Sequence, residues 1–177
     1  MTEERHRTGQ LVLTDLDMVS AASGDGWRLF TDRVMGGVSA GTLRRETVAG
    51  RPALRMQGEV SLDNNGGFVQ MALDLTSDGE PLDARAFAGV ELDIWGNRER
   101  YGCHLRTTAM ARPWQSYRQE FVTTGDWQTL RLPFQGFAAH RFDGPLDLQQ
   151  LRRIGLVAIG RAFHADLALA RAALYRE

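Results

Sequence analysis

The sequence contains no lysine; all 21 basic residues are arginine. That removes lysine Schiff-base chemistry and the lysine of a phosphate-binding P-loop. The single cysteine, Cys103, excludes an internal disulfide and a cysteine-built zinc cage. There is no excess of one charge either: 22 acidic residues face 21 basic ones, for a net charge of −1. Binding driven by phosphate neutralisation needs a basic excess, so no nucleic-acid partner is expected. The longest strongly apolar run, residues 154–159, is far too short for a membrane-crossing helix, and no transmembrane segment is expected. Residues 1–9 carry Glu3, Glu4, Arg5 and Arg7 without an apolar stretch. They read as a flexible terminus, not a secretory signal or transit peptide, and a cytoplasmic location follows as the expectation.

Glycine is abundant instead, at 19 of 177 residues, or about 11% against a usual ~7%. Many turns and short apolar runs point to an all-β chain of one domain, residues 10–177. Val90, Leu92 and Ile94 alternate with Glu91 and Asp93, the pattern of a strand with one buried face. Residues 42–46 and 53–57 flank Ala49-Gly50-Arg51-Pro52 and read as a hairpin. Ser20 to Gly26 reads as a loop, Phe68 to Leu73 as a strand. Cys103 and Leu105 alternate against His104 and Arg106, and Tyr117, Gln119 and Phe121 share a face. Asp147 is placed to cap a helical turn ahead of an apolar strand ending at Ile159. Residues 165–175 hold five alanines and read helical by propensity, although Leu167 and Leu169 alternate. The count of short strands predicts a single β-sandwich or jelly roll with at most short helical turns.

Several residue groups could carry function. In the segment from Asp32 to Ser39, Gly36 and Gly37 let backbone approach a ligand or partner closely, with Asp32 and Ser39 supplying hydrogen bonds. The same residues equally suit a tight loop in which Asp32 caps backbone amides. Asp63 and Asn65 offer oxygen ligands to a cation, but a calcium loop brings more carboxylates and a late glutamate, so no metal is expected. Ser39, His104 and Asp32 could be written as a triad, yet no nucleophile-elbow sequence surrounds Ser39, and no catalytic residue is assigned. Cys103 reads as an inert buried thiol. Trp27, Trp95 and Trp127 sit in apolar contexts and read as core. Trp114 lies in a polar loop, where an exposed ring could contact a ligand. Arg106 stands opposite Leu105. With Tyr117 on a paired strand it could bind polar or anionic groups; otherwise it is a surface arginine or a partner of Glu120.

Three segments together resemble the complex I intermediate-associated protein 30 family. They are Asp32-Arg33-Val34-Met35-Gly36-Gly37-Val38-Ser39-Ala40-Gly41, Gly58-Glu59-Val60-Ser61-Leu62-Asp63-Asn64-Asn65-Gly66-Gly67-Phe68, and Tyr117-Arg118-Gln119-Glu120-Phe121 followed by Trp127, Leu132-Pro133-Phe134 and Phe137. The resemblance runs from about Trp27 to the C-terminus. It implies a galactose-binding-domain-like jelly roll, and therefore a final strand where alanine propensity suggests a helix. It further implies a non-catalytic binding protein like an assembly factor or chaperone for respiratory complex I (NADH:ubiquinone oxidoreductase). The implied partner is a complex I subunit or an assembly intermediate, with no cofactor. The chain reads as a free-standing, bacterial copy of that domain. The alternative on the same fold is a carbohydrate-binding module of the galactose-binding type, with a sugar or polar ligand. The candidate contact residues under either reading are Asp32, Met35, Gly36, Gly37, Ser39, Asn65, Gly66, Gly67, Arg106, Trp114 and Tyr117.

Overall fold

Apolar alternation becomes strand throughout. The structure, a computed structural model, describes residues 9–17 and 26–177. Apart from Gly9 and Gly26, the expected flexible terminus and the loop read at Ser20 to Gly26 lie outside those residues. The described chain forms β1 (Leu11–Asp15), β2 (Trp27–Thr31), β3 (Ala40–Val48), β4 (Arg51–Val60), β5 (Phe68–Asp74) and β6 (Gly89–Gly96). It continues with β7 (Arg100–Thr107), β8 (Ser116–Val122), β9 (Gln128–Pro133), β10 (Ala138–His140), β11 (Leu151–Ile159) and β12 (Phe163–Tyr175). The helical content is short 3-10 turns at Asp32–Met35, Asp63–Asn65, Phe134–Gly136 and Leu148–Gln150. The last is capped as expected, Asp147 accepting the Gln149 amide at 3.1 Å.

Two six-stranded antiparallel sheets result. The first runs β3-β4-β12-β6-β9, with β1 also on β12; the second runs β10-β8-β7-β11-β5-β2. Their inner faces meet in one core. Met56, Leu92, Ile94 and Leu167 come from the first sheet, Met71, Tyr101, Leu105 and Leu156 from the second, all essentially solvent-free. Each such side chain stabilises the fold by about 1.5–3 kcal/mol, which is why register follows the alternation. Cys103 is buried in the same core, and burial raises its thiol pKa. Trp27 is buried too, its indole N–H donating to Thr14 Oγ1 at 2.7 Å. Trp95 and Trp127 pack on a small cluster of Val48, Ala53 and Ala168. The predicted hairpin is β3–β4, closed by the two residues Ala49 and Gly50, both at positive φ, the twist that two-residue hairpins favour.

The alanine-rich tail is the strand β12, as the resemblance implies and against local propensity. It lies inside the first sheet, with β6 on one edge and β4 and β1 on the other. Ala165, Ala168, Ala170, Ala172 and Ala173 are all fully buried. Helix preference for alanine amounts to at most about 0.7 kcal/mol per residue over ordinary residues. A lost ladder bond in a buried strand costs about as much or more.

The outer faces of the two sheets differ. On the first, arginines meet carboxylates: Arg55 with Asp166 and Glu46, Arg51 with Asp93, Arg171 and Arg131 with Glu91. On the second, His104 lies directly across from Arg118 on β8 and from Gly155 on β11, and Gly155 lies across from Ala72 on β5. A histidine and an arginine therefore stand beside two very small residues, and the middle of that face is low.

Candidate functional site

The floor and walls of the depression on the second sheet come from distant parts of the chain. One wall starts at the turn Asp32–Met35, where Thr31 Oγ1 accepts the Arg33 amide at 3.3 Å. Gly36 ends the turn in the left-handed region, at φ 86°, which a residue with a Cβ adopts only with strain. The chain then folds back so closely on Asp32 that a Cβ on Gly37 would stand 2.4 Å from the carboxylate Oδ1.

Asp32 is fully buried, and every oxygen of its carboxylate is used. Oδ1 accepts the Ser39 amide at 2.9 Å. Oδ2 accepts the amides of Gly67 at 2.5 Å and Phe68 at 3.1 Å, together with the Ser39 hydroxyl. Ser39 Oγ in turn accepts the Ser61 amide at 2.8 Å. Burial alone would raise the Asp32 pKa; the hydroxyl and amide donors outweigh it and hold the carboxyl below its usual range. Gly66 presses on the other side of the same carboxylate. Asp32 thus clips the Met-Gly-Gly and Asn-Gly-Gly loops together. Asp32 and Ser39 bond inward, to each other and to the amides of Ser61, Gly67 and Phe68, which is the arrangement of a loop cap.

What the clipped loops do present is apolar. Val34, Met35 and Leu62 are half or more exposed, and all three line the depression. The opposite wall is the Trp114 loop. Arg106 holds it: Nη1 donates to the carbonyls of Arg112, Pro113 and Gln115 at 2.9, 2.9 and 3.1 Å. The Gln115 side chain accepts the Ala111 and Arg112 amides at 3.1 and 3.0 Å. Trp114 is 44% exposed, and the Arg112 guanidinium lies 5.8 Å from its ring. Of the seven exposed large apolar side chains among the described residues, four line this one depression.

The floor is polar. His104 from β7 is buried and its pKa is pushed down to about 3, by burial first and then by the nearby charges of Arg118 and His140. It is a neutral imidazole at pH 7, with no hydrogen-bond partner among the described residues. Arg118 from β8 donates Nε to Ser116 Oγ at 2.8 Å and meets no carboxylate among the described residues. Gln70 from β5 lies over Gly155. A second depression adjoins the first, sharing His104, Arg118, Ile159 and Gly160, and each has a volume of about 260 Å³. Together they form a groove across the sheet.

The sequence candidates therefore separate. Met35, Gly66, Gly67 and Trp114 line the groove together with Asp32. Gly36, Gly37 and Ser39 shape its wall from behind. Arg106 positions the Trp114 loop. Tyr117 is buried, its hydroxyl donating to the carbonyls of Gly144 and Pro145 at 2.7 and 2.9 Å, and its ring lies edge-on to Phe142. It points into the core, away from Arg106, so no Arg–Tyr pair forms on the outer face. Glu120 faces Arg100 at 3.7 Å, not Arg106. The Asn65 side chain lies outside the described residues. Ser39 donates to Asp32 and makes no bond to His104, so the triad geometry is lacking. No cluster of three or more His, Cys, Asp or Glu side chains suited to a metal occurs among the described residues. Nor is any helix among them long and apolar enough to cross a membrane. Sequence reading missed Val34, Leu62, Gln70 and Arg118, and weighed His104 only as part of a triad. The polar positions of β7 and β8 carried a signal, but only the register His104–Arg118 brings them together.

The fold has solved counterparts. A family 11 carbohydrate-binding module from Clostridium thermocellum, in complex with a β-1,3-1,4-mixed-linked tetrasaccharide, is similar at a TM-score of 0.71 and 13% identity, over 95% of this chain and 96% of that one. A family 30 module of a cellulosomal cellulase from the same organism is similar at 0.67 and 15%, over 95% and 98%. An exo-β-agarase is similar at 0.57 and 10%, over 94% of this chain but only 26% of its own. At such identities the likeness establishes the β-sandwich and no more. No curated protein matches the sequence. The model of one protein family does match, across residues 16–169 and so across both glycine loops, the Trp114 loop and the strands beneath them: the chain belongs to the complex I intermediate-associated protein 30 family.

Proposed function

We propose that this chain is a non-catalytic binding module that holds a protein partner in the groove of its second sheet, in the manner of an assembly factor or chaperone. The observation that carries this reading is the apolar rim. Val34, Met35, Leu62 and Trp114 project around one groove, held out by loops whose polar groups are satisfied internally. Exposed apolar side chains gathered at one place mark interaction sites in soluble proteins. Family membership supports a complex I subunit or assembly intermediate as the partner.

The test is capture of partners by the full chain and by the double variant Met35→Ser/Leu62→Ser, with melting temperatures matched. Complex I subunits recovered by the wild type and lost by the variant are the expected result. Equal recovery by both proteins would overturn the use of this rim.

One observation favours a second reading, a carbohydrate-binding module. His104 and Gln70, which have no hydrogen-bond partner among the described residues, line the same depression as the exposed Trp114 ring, a combination able to hydrogen-bond and stack on a sugar. The family 11 module with its bound tetrasaccharide has the same fold. Calorimetric titration with a mixed-linked glucan separates the readings. Saturable binding lost in Trp114→Ala supports the sugar module, and no heat supports the protein-binding one.

A further inference from the structure

We infer that the groove selects an acidic, aliphatic segment of its partner: a carboxylate seated at Arg118, and a neighbouring branched aliphatic side chain against Met35, Leu62 and Trp114. This rests on the protein-binding reading above and adds the chemistry of the bound segment.

The charge pattern of the two sheets carries the inference. On the outer face of the first sheet Arg51, Arg55, Arg131 and Arg171 are matched by carboxylates within the chain, and Arg44, across from Arg55, is the exception among the described residues. On the second sheet, acids pair at the margins: Asp74 with Arg28 and Arg153, Glu120 with Arg100, Glu99 with Arg161. The centre has none to spare. Among the described residues Arg118 reaches only a serine hydroxyl and Arg106 only backbone carbonyls. Asp32, the one carboxylate lining the first depression, is spent on its own loops, and Glu120, which lines the second, stands by Arg100. Burial first, and then the charges of other arginines, lower the pKa of both Arg118 and Arg106.

A half-buried guanidinium without an anion is a fork of donors awaiting one, and a carboxylate is its best-matched acceptor. His104 beside it stays neutral and can accept or donate one bond without adding charge. The aliphatic character of the rim decides the class of partner. Three of the four rim residues have no ring, whereas a sugar platform is built of rings. An acidic polysaccharide would satisfy Arg118 but leave Val34, Met35 and Leu62 exposed.

The experiment selects peptides from a randomised heptapeptide phage library on the immobilised full chain. It then measures the best peptide by fluorescence anisotropy against wild type and Arg118→Gln, with polygalacturonate as the anionic sugar probe. Selection of Asp or Glu next to Leu, Ile or Val is expected, with affinity at least tenfold weaker in Arg118→Gln. If that variant does not fold, the salt dependence of the wild type serves instead: affinity should fall steadily between low and physiological ionic strength. Selection of apolar peptides without acids, indifferent to Arg118 and to salt, overturns this inference and leaves the protein-binding reading intact. Polygalacturonate binding that needs Arg118, with no peptide enriched, overturns both in favour of an anionic sugar. No enrichment and no polysaccharide binding overturns both outright.

Discussion

Asp32 Oδ2 accepts the amide of Gly67 at 2.5 Å, joining two loops whose contact residues stand 35 positions apart in the chain. The same carboxylate touches both glycine pairs, and so the two halves of the family pattern meet at one buried group. A charged acceptor with four donors cannot be replaced by a neutral or shorter one without leaving amides unpaired. Asp32→Ala should cost about 3 kcal/mol or more in urea unfolding, since each stranded buried donor costs about 1–3 kcal/mol. Asp32→Asn should cost less, keeping one carbonyl acceptor. A loss below about 1 kcal/mol in the alanine variant would contradict the clip.

The two glycines of the Met-Gly-Gly loop serve different needs, and alanine separates them. At Gly36 the space beside the backbone is open, and only the left-handed φ resists a Cβ. Gly36→Ala should cost about 1 kcal/mol, partly recovered in Gly36→Asn. At Gly37 a Cβ would overlap the buried Asp32 carboxylate, so Gly37→Ala should cost more, about 2–3 kcal/mol. Parallel unfolding curves of the three variants check the order.

Arg106 is a fastener of the Trp114 loop. Arg106→Gln removes three bonds to loop carbonyls. Global stability should fall by only about 1–2 kcal/mol, because these bonds are partly exposed. Hydrogen exchange of a peptide covering residues 110–116 should accelerate at least tenfold, while β7 itself stays protected. Unchanged exchange in that peptide would place the loop under the control of other contacts.

His104 sets a pH dependence whose sign is fixed by its burial. Its pKa falls from an ordinary 6.5 to about 3 on folding. Below pH 6.5 the unfolded chain takes up a proton that the folded chain refuses. The stability owed to this neutral imidazole is therefore complete above about pH 6.5 and is lost as pH falls toward about 3, by up to about 1.4 kcal/mol per pH unit. Asp32, also depressed, adds loss of the same sign below its ordinary 3.8. Urea unfolding from pH 7 to pH 4 should show a shallower decline in His104→Gln than in the wild type. Identical slopes would mean that His104 is solvated in the folded state.

What the sequence determined by itself is local. Alternation at Val90, Leu92 and Ile94 identifies a half-buried strand, because a period of two is visible in any five residues. Ala49-Gly50-Arg51-Pro52 announces a hairpin, because Gly50 tolerates the left-handed conformation of the turn, although Arg51 and Pro52 turn out to belong to β4. Asp147 is legible as a cap for the same local reason. The two glycine loops and the family pattern were legible too, along with the strand at Cys103 and Leu105. The tertiary structure alone decided the rest. Residues 165–175 are a strand because neighbouring strands cover both of their edges, a condition no local propensity encodes. Asp32 and Ser39 face inward because their acceptors and donors are supplied from Ser61, Gly67 and Phe68, across the fold. Tyr117 and Arg118 are adjacent in sequence, yet one fills the core and the other faces the groove. The groove itself exists only through pairing, since His104 meets Arg118 and Gly155 by register across three strands. A functional surface made from side chains that far apart is a property of the ladder that aligns them.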